Sequence, residues 1–140
     1  MKLTNTEIHN RINDWLNSWN NHHLQDVLEL IHDDVVFENW KGAPVIGKSH
    51  LRQSWLPWFI NHGNFKFTVE DIFADEQEQK ALFLWQLEWP SLESSFKGKR
   101  ELRRGADVLH FLEGKISKKY TYSKTSVVID GQSVELIAKV

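Results

Sequence analysis

The hydrophobic residues of the first third of the chain recur at helical spacing. Intervals of 4, 3, 1 and 3 residues predict an amphipathic first helix, carried by Ile8, Ile12, Trp15, Leu16 and Trp19. The string Thr4-Asn5-Thr6-Glu7 has the spacing of a capping box and predicts where this helix begins. A second, shorter stripe runs from Leu24 to Ile31 and predicts a second helix.

A third helix is predicted after Gly47, with its apolar side formed by Leu51, Trp55, Trp58 and Phe59. Pro57 lacks a backbone donor, so we expect this helix to break near Leu56. Between the second and third helices, the segment 35–38 reads as a short strand.

From Phe65 onward the hydrophobic period changes to two, which is typical of strands. Phe65, Phe67, Val69 and Phe73 are predicted to share one face of the first of these strands. The next strand places Ala81, Phe83, Trp85, Leu87 and Trp89 on one face. Glycine turns at Gly114 and Gly131 predict two further hairpins, the last of them closing the chain between Val127 and Val140.

This order of elements predicts one α+β domain over residues 1–140, with residues 126–140 as a C-terminal hairpin extension. Three N-terminal helices would pack on a strongly curved, mostly antiparallel sheet. Helices on one face of a curved sheet enclose a cone, and its interior is where we expect a pocket for a small ligand.

Composition narrows the chemistry that this domain can perform. There is no cysteine among the 140 residues, which excludes thiol nucleophiles, disulfides and Cys-ligated metals. The chain contains 7 Trp and 8 Phe, more than a domain of this size needs to fill its core. Trp has a large apolar surface and one N–H donor, and it therefore suits the wall of a pocket or a subunit interface. Without a predicted leader or membrane span, we expect a cytoplasmic protein that does not bind membranes.

Charge is unevenly distributed along the chain. Residues 1–96 carry 7 Lys and Arg against 14 Asp and Glu, whereas residues 97–124 carry 9 against 3. The basic segment could attract an anion, but strand alternation favours a solvated sheet face. With a pI near 6.4, nucleic acid is not an expected partner.

Several strings, in this order, resemble the nuclear transport factor 2-like superfamily, in its SnoaL-like polyketide cyclase and ketosteroid isomerase branches. They are Trp19 with the stripe Leu24 to Ile31, the segment 33–38, the segment 45–48, the segment 104–108 and the segment 114–116. The resemblance covers about Thr4 to Thr125 and implies the fold described above. Because this superfamily includes both enzymes and binding proteins, the fold alone does not give the function.

The resemblance to ketosteroid isomerases implies three site positions. Their proton-shuttling base corresponds to Asn39, after Glu38, and their oxyanion tyrosine corresponds to Trp15. Their oxyanion-hole acid matches Asp107, in the string Asp107 to Phe111. In those enzymes an apolar site keeps this acid protonated, and the resemblance implies the same for Asp107.

The resemblance to polyketide cyclases implies a base on the last core strand, and that position is occupied here by Ser123. The ending Tyr122-Ser123-Lys124 resembles other SnoaL-like members and implies that Tyr122 and Lys124 line or rim the cavity. Asp107 has a structural alternative, a salt bridge with Arg103, Arg104 or a lysine of another strand. Alternation places His110 and Asp107 on opposite sheet faces.

These observations leave two functions open. The first is binding of a small, largely apolar, cyclic or aromatic molecule, with catalysis unproven. The second is an isomerase, cyclase or dehydratase that uses acid–base chemistry with Asp107 and Tyr122 as catalytic residues. The expected ligand-binding residues are Trp15, Trp19, Phe37, Asn39, Trp40, Trp55, Trp58, Trp85 and Lys124.

No cofactor and no metal are expected. The histidines and the string Glu29 to His32 do not repeat as a di-iron site requires. The resemblance implies a homodimer through the outer sheet face, where Leu82, Leu84, Val108 and Leu112 would supply apolar area.

Overall fold

The computed structural model describes residues 1–136, which form three helices and eight strands. The helices are α1 (Asn5–Asn20), α2 (Leu24–Glu29) and α3 (Lys48–Ile60). The strands are β1 (Ile31–Glu38), β2 (Pro44–Ile46), β3 (Lys66–Asp75), β4 (Lys80–Pro90), β5 (Arg100–Leu112), β6 (Lys115–Ser123), β7 (Ser126–Ile129) and β8 (Gln132–Glu135). No helix in residues 1–136 is both long and apolar enough to cross a membrane.

The strands form one strongly curled sheet in the order β2-β1-β6-β5-β4-β3. The neighbours are antiparallel except for β1 and β6, which run parallel. The helices cover the concave face of this half-barrel, so the predicted α+β fold is confirmed. The hairpin β7–β8 joins the sheet at the start of β5, and the rest of the predicted closing hairpin, residues 137–140, lies outside the described residues.

The first helix begins as the sequence predicts. The Thr4 hydroxyl accepts a hydrogen bond from the Glu7 amide at 3.2 Å, and the Glu7 carboxylate accepts one from the Thr4 amide at 3.0 Å. These bonds satisfy two amides that have no partner inside the helix. The hydrogen bond from the Thr4 amide to the carboxylate also holds the pKa of Glu7 below its usual value. The predicted apolar stripe from Ile8 to Trp19 is buried.

The predicted break in the third helix is wrong. Helix α3 continues through Pro57 to Ile60, and the Asn61 amide still donates to the Pro57 carbonyl at 3.1 Å. Pro57 lies in the last turn, and the carbonyl that loses its helical donor belongs to Gln53, an exposed residue where water can replace the missing hydrogen bond. Trp55 and Phe59, both buried, pack this turn against the core.

The prediction that the second helix extends to Ile31 is also wrong, because α2 ends at Glu29 and Ile31 begins β1. The side chain of Ile31 is still buried, as the apolar stripe requires. Its backbone pairs with Ile116 instead of continuing the helix. Burial was therefore predicted correctly and the secondary structure was not.

Strand β3 contains an irregularity that changes which residues face the core. Its pairing with β4 shifts between Val69 and Asp71. As a result Ile72 packs against the core, while Phe73, expected on the inner face, is 56% exposed on the outer one. One extra residue in a strand reverses the alternation of every residue that follows it.

A second bulge lies in β6. Phe111 pairs with Ile116 and His110 with Lys118, which leaves Ser117 as the extra residue. Beyond it the inward positions are Lys119 and Thr121, both buried. This bulge determines the chemistry of the interior.

Candidate functional site

A cavity of about 360 Å³ lies between the helices and the concave face of the sheet. This volume falls within the range of small-molecule sites. All seven tryptophans of the chain line it. The lining consists of Trp15, Leu16, Trp19, Phe37, Asn39, Trp40, Lys41, Ser54, Trp55, Trp58, Phe67, Phe83, Trp85, Trp89, Leu92, Glu93, Asp107, Lys119 and Thr121.

The aromatic wall is formed by residues of five elements, α1, α3, β1, β3 and β4, and of the loop after β1. Helix α1 contributes Trp15 and Trp19, and α3 contributes Trp55 and Trp58. Trp19 and Trp55 meet edge to face with ring centroids 4.7 Å apart. Such contacts stabilise aromatic pairs beyond their burial and hold each ring in one orientation. The cavity is therefore apolar along most of its surface.

The polar end of the cavity is a buried ion pair between neighbouring strands. The Nζ atom of Lys119, on β6, lies 3.2 Å from Oδ2 of Asp107, on β5. It also donates to the Thr121 hydroxyl at 2.6 Å. The second carboxylate oxygen, Oδ1, accepts from the indole N–H of Trp85 at 3.1 Å. Each oxygen of Asp107 therefore has one polar neighbour, the Lys119 ammonium group at Oδ2 and the Trp85 indole N–H at Oδ1.

Burial lowers the pKa of Lys119, while the charge of Asp107 and the hydrogen bond to it oppose this effect. The ammonium group also lies 4.4 Å from the centre of the Phe37 ring, on its face. Removing a cation from water favours the neutral amine. The apolar cavity therefore favours the neutral amine of Lys119 more than water favours that of an exposed lysine.

Trp85 is held over this pair because Gly105 has no side chain. The two residues are directly paired across β4 and β5. A Cβ atom on Gly105 would lie 2.4 Å from a carbon of the Trp85 ring and 2.2 Å from the Tyr122 carbonyl oxygen. Any larger residue would displace the indole that binds Asp107.

A second buried ion pair supports the wall near the entrance. Arg103 donates to both oxygens of Glu101 at 3.0 and 3.2 Å and to Glu93 at 3.0 Å. Its guanidinium carbon is 4.6 Å from the centre of the Trp40 ring. Glu101 also accepts hydrogen bonds from Trp89 and Ser91. The cluster ties two aromatic wall residues and the loop after β4 to the sheet.

The loop after β1 is shaped by Asn39. Its side-chain oxygen accepts from the amides of Lys41 at 2.9 Å and Ala43 at 3.3 Å. This side chain therefore organises the loop that carries Trp40 to the cavity. Lys41 and Leu92 are exposed members of the lining and mark its open side.

A model of the SnoaL-like domain, a group within the nuclear transport factor 2-like superfamily, matches residues 12–119 of the chain. The chain belongs to the SnoaL-like domain family. No curated protein matches it. The solved structures that resemble this SnoaL-like domain share its fold at low sequence identity.

Three of these solved structures illustrate the range of proteins that share the fold. An NTF2-like protein of unknown function from Cytophaga hutchinsonii has a TM-score of 0.63 at 12% identity, covering 89% of this chain and 95% of that one. An LEH-like epoxide hydrolase of M. tuberculosis has a TM-score of 0.67 at 20% identity, covering 85% and 84%. TerC, co-crystallised with polyporic acid, has a TM-score of 0.68 at 13% identity, covering 85% and 92%. At these identities the likeness establishes the fold alone.

The structure brings most of the predicted site residues of this SnoaL-like domain together. Asp107 and the expected binding residues other than Lys124 lie in the cavity lining. Tyr122, expected to be catalytic, is 59% exposed on the outer face, and Lys124 is exposed as well. Neither belongs to the lining. The bulge at Ser117 turns Tyr122 outward, and Lys124 lies beyond the end of β6.

Sequence reasoning missed Lys119 and Thr121. The two roles considered for Asp107, a salt bridge and a position in the pocket, occur together, since it pairs with a lysine of another strand and lines the cavity.

His110 lies on the face opposite Asp107, as alternation predicts, and burial next to Lys80 and Lys118 lowers its pKa. In residues 1–136 no cluster of three His, Asp or Glu side chains has the arrangement of a metal site.

Proposed function

We propose that this SnoaL-like domain binds a small, largely apolar, cyclic or aromatic molecule in the cavity. The observation that supports this most strongly is the position of all seven tryptophans around a single cavity of about 360 Å³. Flat aromatic walls match the faces of a ring system. A buried polar group at one end would orient such a molecule.

The ligand we propose also carries an oxygen that accepts hydrogen bonds. Lys119 and Thr121 present polar atoms to the cavity next to Asp107. The indole N–H of Trp19, also in the lining, is buried and has no hydrogen-bond partner within residues 1–136. Buried donors without partners are rare in folded proteins. A carbonyl, hydroxyl or ether oxygen on the ligand would give such donors a partner.

The test is a titration of intrinsic tryptophan fluorescence with steroids, aromatic polyketides and small cyclic acids. We expect saturable quenching by one of these classes, and weaker binding in Asp107→Asn. Lys124→Met, a change outside the cavity, is the matched control and should bind like the wild type. The absence of saturable binding across the panel would contradict the proposal.

A second candidate function is acid–base catalysis on the bound molecule, as in an isomerase, cyclase or dehydratase. It is favoured by the Asp107–Lys119 pair, whose two groups lie 3.2 Å apart and can exchange a proton. Turnover of a bound class by the wild type, lost in Asp107→Asn even when the ligand saturates the variant, would support catalysis. Full activity in that variant would remove Asp107 from the reaction.

We also propose that two copies of this domain pair through the outer sheet face. Phe73, Leu82, Val108 and Tyr120 form one continuous row across four strands on that face. Phe73 is 56% exposed, and an apolar row of this kind is typical of a protein interface. Sedimentation at micromolar concentration should show a dimer for the wild type and a monomer for Leu82→Glu. A monomeric wild type would contradict the proposal.

A further inference from the structure

We infer that Lys119 is a nucleophile that forms an imine with an aldehyde or ketone bound in the cavity. This inference rests on the proposed function, because the carbonyl compound must first enter the aromatic cavity. It goes further by naming the reacting atom, Nζ of Lys119, and the chemical class of the ligand. The ligand would be a ring compound with an aldehyde or ketone group.

Burial distinguishes Lys119 from the other lysines of residues 1–136. It is the buried lysine of this part of the chain, whereas its neighbour Lys118 is exposed on the opposite face of the same strand. The bulge at Ser117 is what places Lys119 rather than Lys118 inside. Nucleophilic lysines in proteins are activated by a desolvated, apolar pocket. Phe37, with its ring centre 4.4 Å from Nζ, is part of such surroundings.

The amine also has the partners that imine formation needs. Asp107, 3.2 Å from Nζ, can take a proton from the ammonium group and return it later. The Thr121 hydroxyl, 2.6 Å from Nζ, can carry a proton between nitrogen and oxygen. Burial lowers the pKa of Lys119 and so favours the neutral amine more than in an exposed lysine.

The step balances within these groups. Asp107 takes one proton from the ammonium, and the nitrogen lone pair then forms a bond to the carbonyl carbon while the carbonyl π pair moves to oxygen. One proton passes from nitrogen to that oxygen through Thr121, giving a carbinolamine. Asp107 returns its proton to the hydroxyl, the C–O bond breaks, and water leaves as the C=N bond forms. The products are one iminium ion and one water, with the Asp107 carboxylate again facing the cation.

The experiment traps this imine by reduction. The protein is incubated with 2-naphthaldehyde and sodium cyanoborohydride at neutral pH, and the modified lysine is located by peptide mapping with tandem mass spectrometry. We expect one naphthylmethyl group on Lys119, formed at least about 10-fold faster than on Lys118 because the cavity positions the aldehyde. The labelling rate should saturate with aldehyde concentration.

Variants control for reactivity and folding. Lys118→Arg should leave the labelling unchanged, because Lys118 lies outside the cavity. Lys119→Arg keeps the positive charge beside Asp107 but removes the nucleophilic amine, and it should lose the fast phase of labelling. Circular dichroism of each variant checks the fold. If Lys119→Arg does not fold, the position of the label in the wild type alone decides the question.

A parallel fluorescence titration with 2-naphthol, which has the same rings and no carbonyl, separates this inference from the proposed function. If 2-naphthol binds and labelling is spread over the exposed lysines, the imine is refuted and the binding function stands. If neither naphthalene compound binds, the imine and the aromatic-ligand cavity are both overturned. Binding of 2-naphthol together with selective labelling of Lys119 supports both.

Discussion

Removing the charge of Lys119 should destabilise the domain strongly. In Lys119→Met the methionine fills a similar volume, but the Asp107 carboxyl group, which is 4% exposed, loses the cation beside it. Among residues 1–136, Asp107 then retains the hydrogen bond from Trp85. Breaking a buried ion pair by removing one partner typically costs about 3 to 5 kcal/mol. We expect a loss of this size in the free energy of unfolding.

Replacing Asp107 as well should recover most of the free energy of unfolding that is lost in Lys119→Met. In the double variant Asp107→Asn with Lys119→Met no buried charge remains at this end of the cavity, and the asparagine side-chain oxygen can still accept from Trp85. Replacing both members of a buried pair by neutral groups is often nearly neutral for stability. The double variant should therefore unfold within about 2 kcal/mol of the wild type, well short of the sum of the two single losses.

Urea unfolding followed by tryptophan fluorescence measures these differences, provided that the m-value is unchanged. Lys118→Met, on the exposed side of β6, is the matched control and should change the free energy of unfolding by no more than about 0.5 kcal/mol. The reasoning fails if Lys119→Met costs no more than Lys118→Met, or if the two single losses add in the double variant.

Three further predictions follow from the cavity wall and its charges. Gly105→Ala should cost about 1 to 3 kcal/mol of stability and weaken ligand binding, since the new Cβ would displace Trp85; urea unfolding and ligand titration test this. Arg103→Lys should lower the melting temperature measured by calorimetry, because lysine cannot bond both oxygens of Glu101 while lying on Trp40; an unchanged value contradicts this. Because the pKa of Lys119 is lowered by folding, the unfolded chain binds more protons between that value and the ordinary lysine pKa of about 10.4. The melting temperature of the wild type, measured relative to that of Lys119→Met, should therefore rise with pH through this window. A difference that stays flat or falls with pH would contradict the lowered pKa of Lys119.

The helices and the buried faces of most strands were predictable from the sequence, for a physical reason. The stripe from Ile8 to Trp19 and the alternation from Ala81 to Trp89 repeat at the periods of a helix and a strand. The capping box from Thr4 to Glu7 marks the start of α1, because its two hydrogen bonds join residues only three positions apart in the sequence. Local patterns of this kind depend little on the rest of the fold, and they also placed the tryptophans around one interior.

The polar end of the cavity could not be predicted in the same way. Counting inward from Ile116 by twos places Lys118, Tyr120 and Tyr122 inside, which agrees with the general preference for buried aromatic residues. The bulge at Ser117 reverses this order and buries Lys119 instead. The position of this bulge depends on how β6 pairs with both β5 and β1. The sequence of residues 115–123 contains no local pattern that predicts this pairing. The wrong prediction for Phe73 has the same cause, because Phe73 follows the bulge in β3 and therefore lies on the outer face.

This difference between neighbouring residues of β6 yields a direct test of the site. Thr121→Val removes a hydroxyl that bonds Lys119 in the cavity, whereas Tyr122→Phe removes one from the opposite, exposed face. Because Thr121 accepts from Lys119, its own O–H can donate to a ligand oxygen. A neutral hydrogen bond is typically worth about 1 kcal/mol, so Thr121→Val should weaken the binding of an oxygen-bearing ligand by about 5-fold. Tyr122→Phe should bind within about 2-fold of the wild type, since a change outside the cavity removes no ligand contact. The fluorescence titration compares the two variants on the same ligand. If Tyr122→Phe weakens binding as much as Thr121→Val does, the inward face of β6 has been assigned wrongly, and with it the Asp107–Lys119 pair as the polar end of the site.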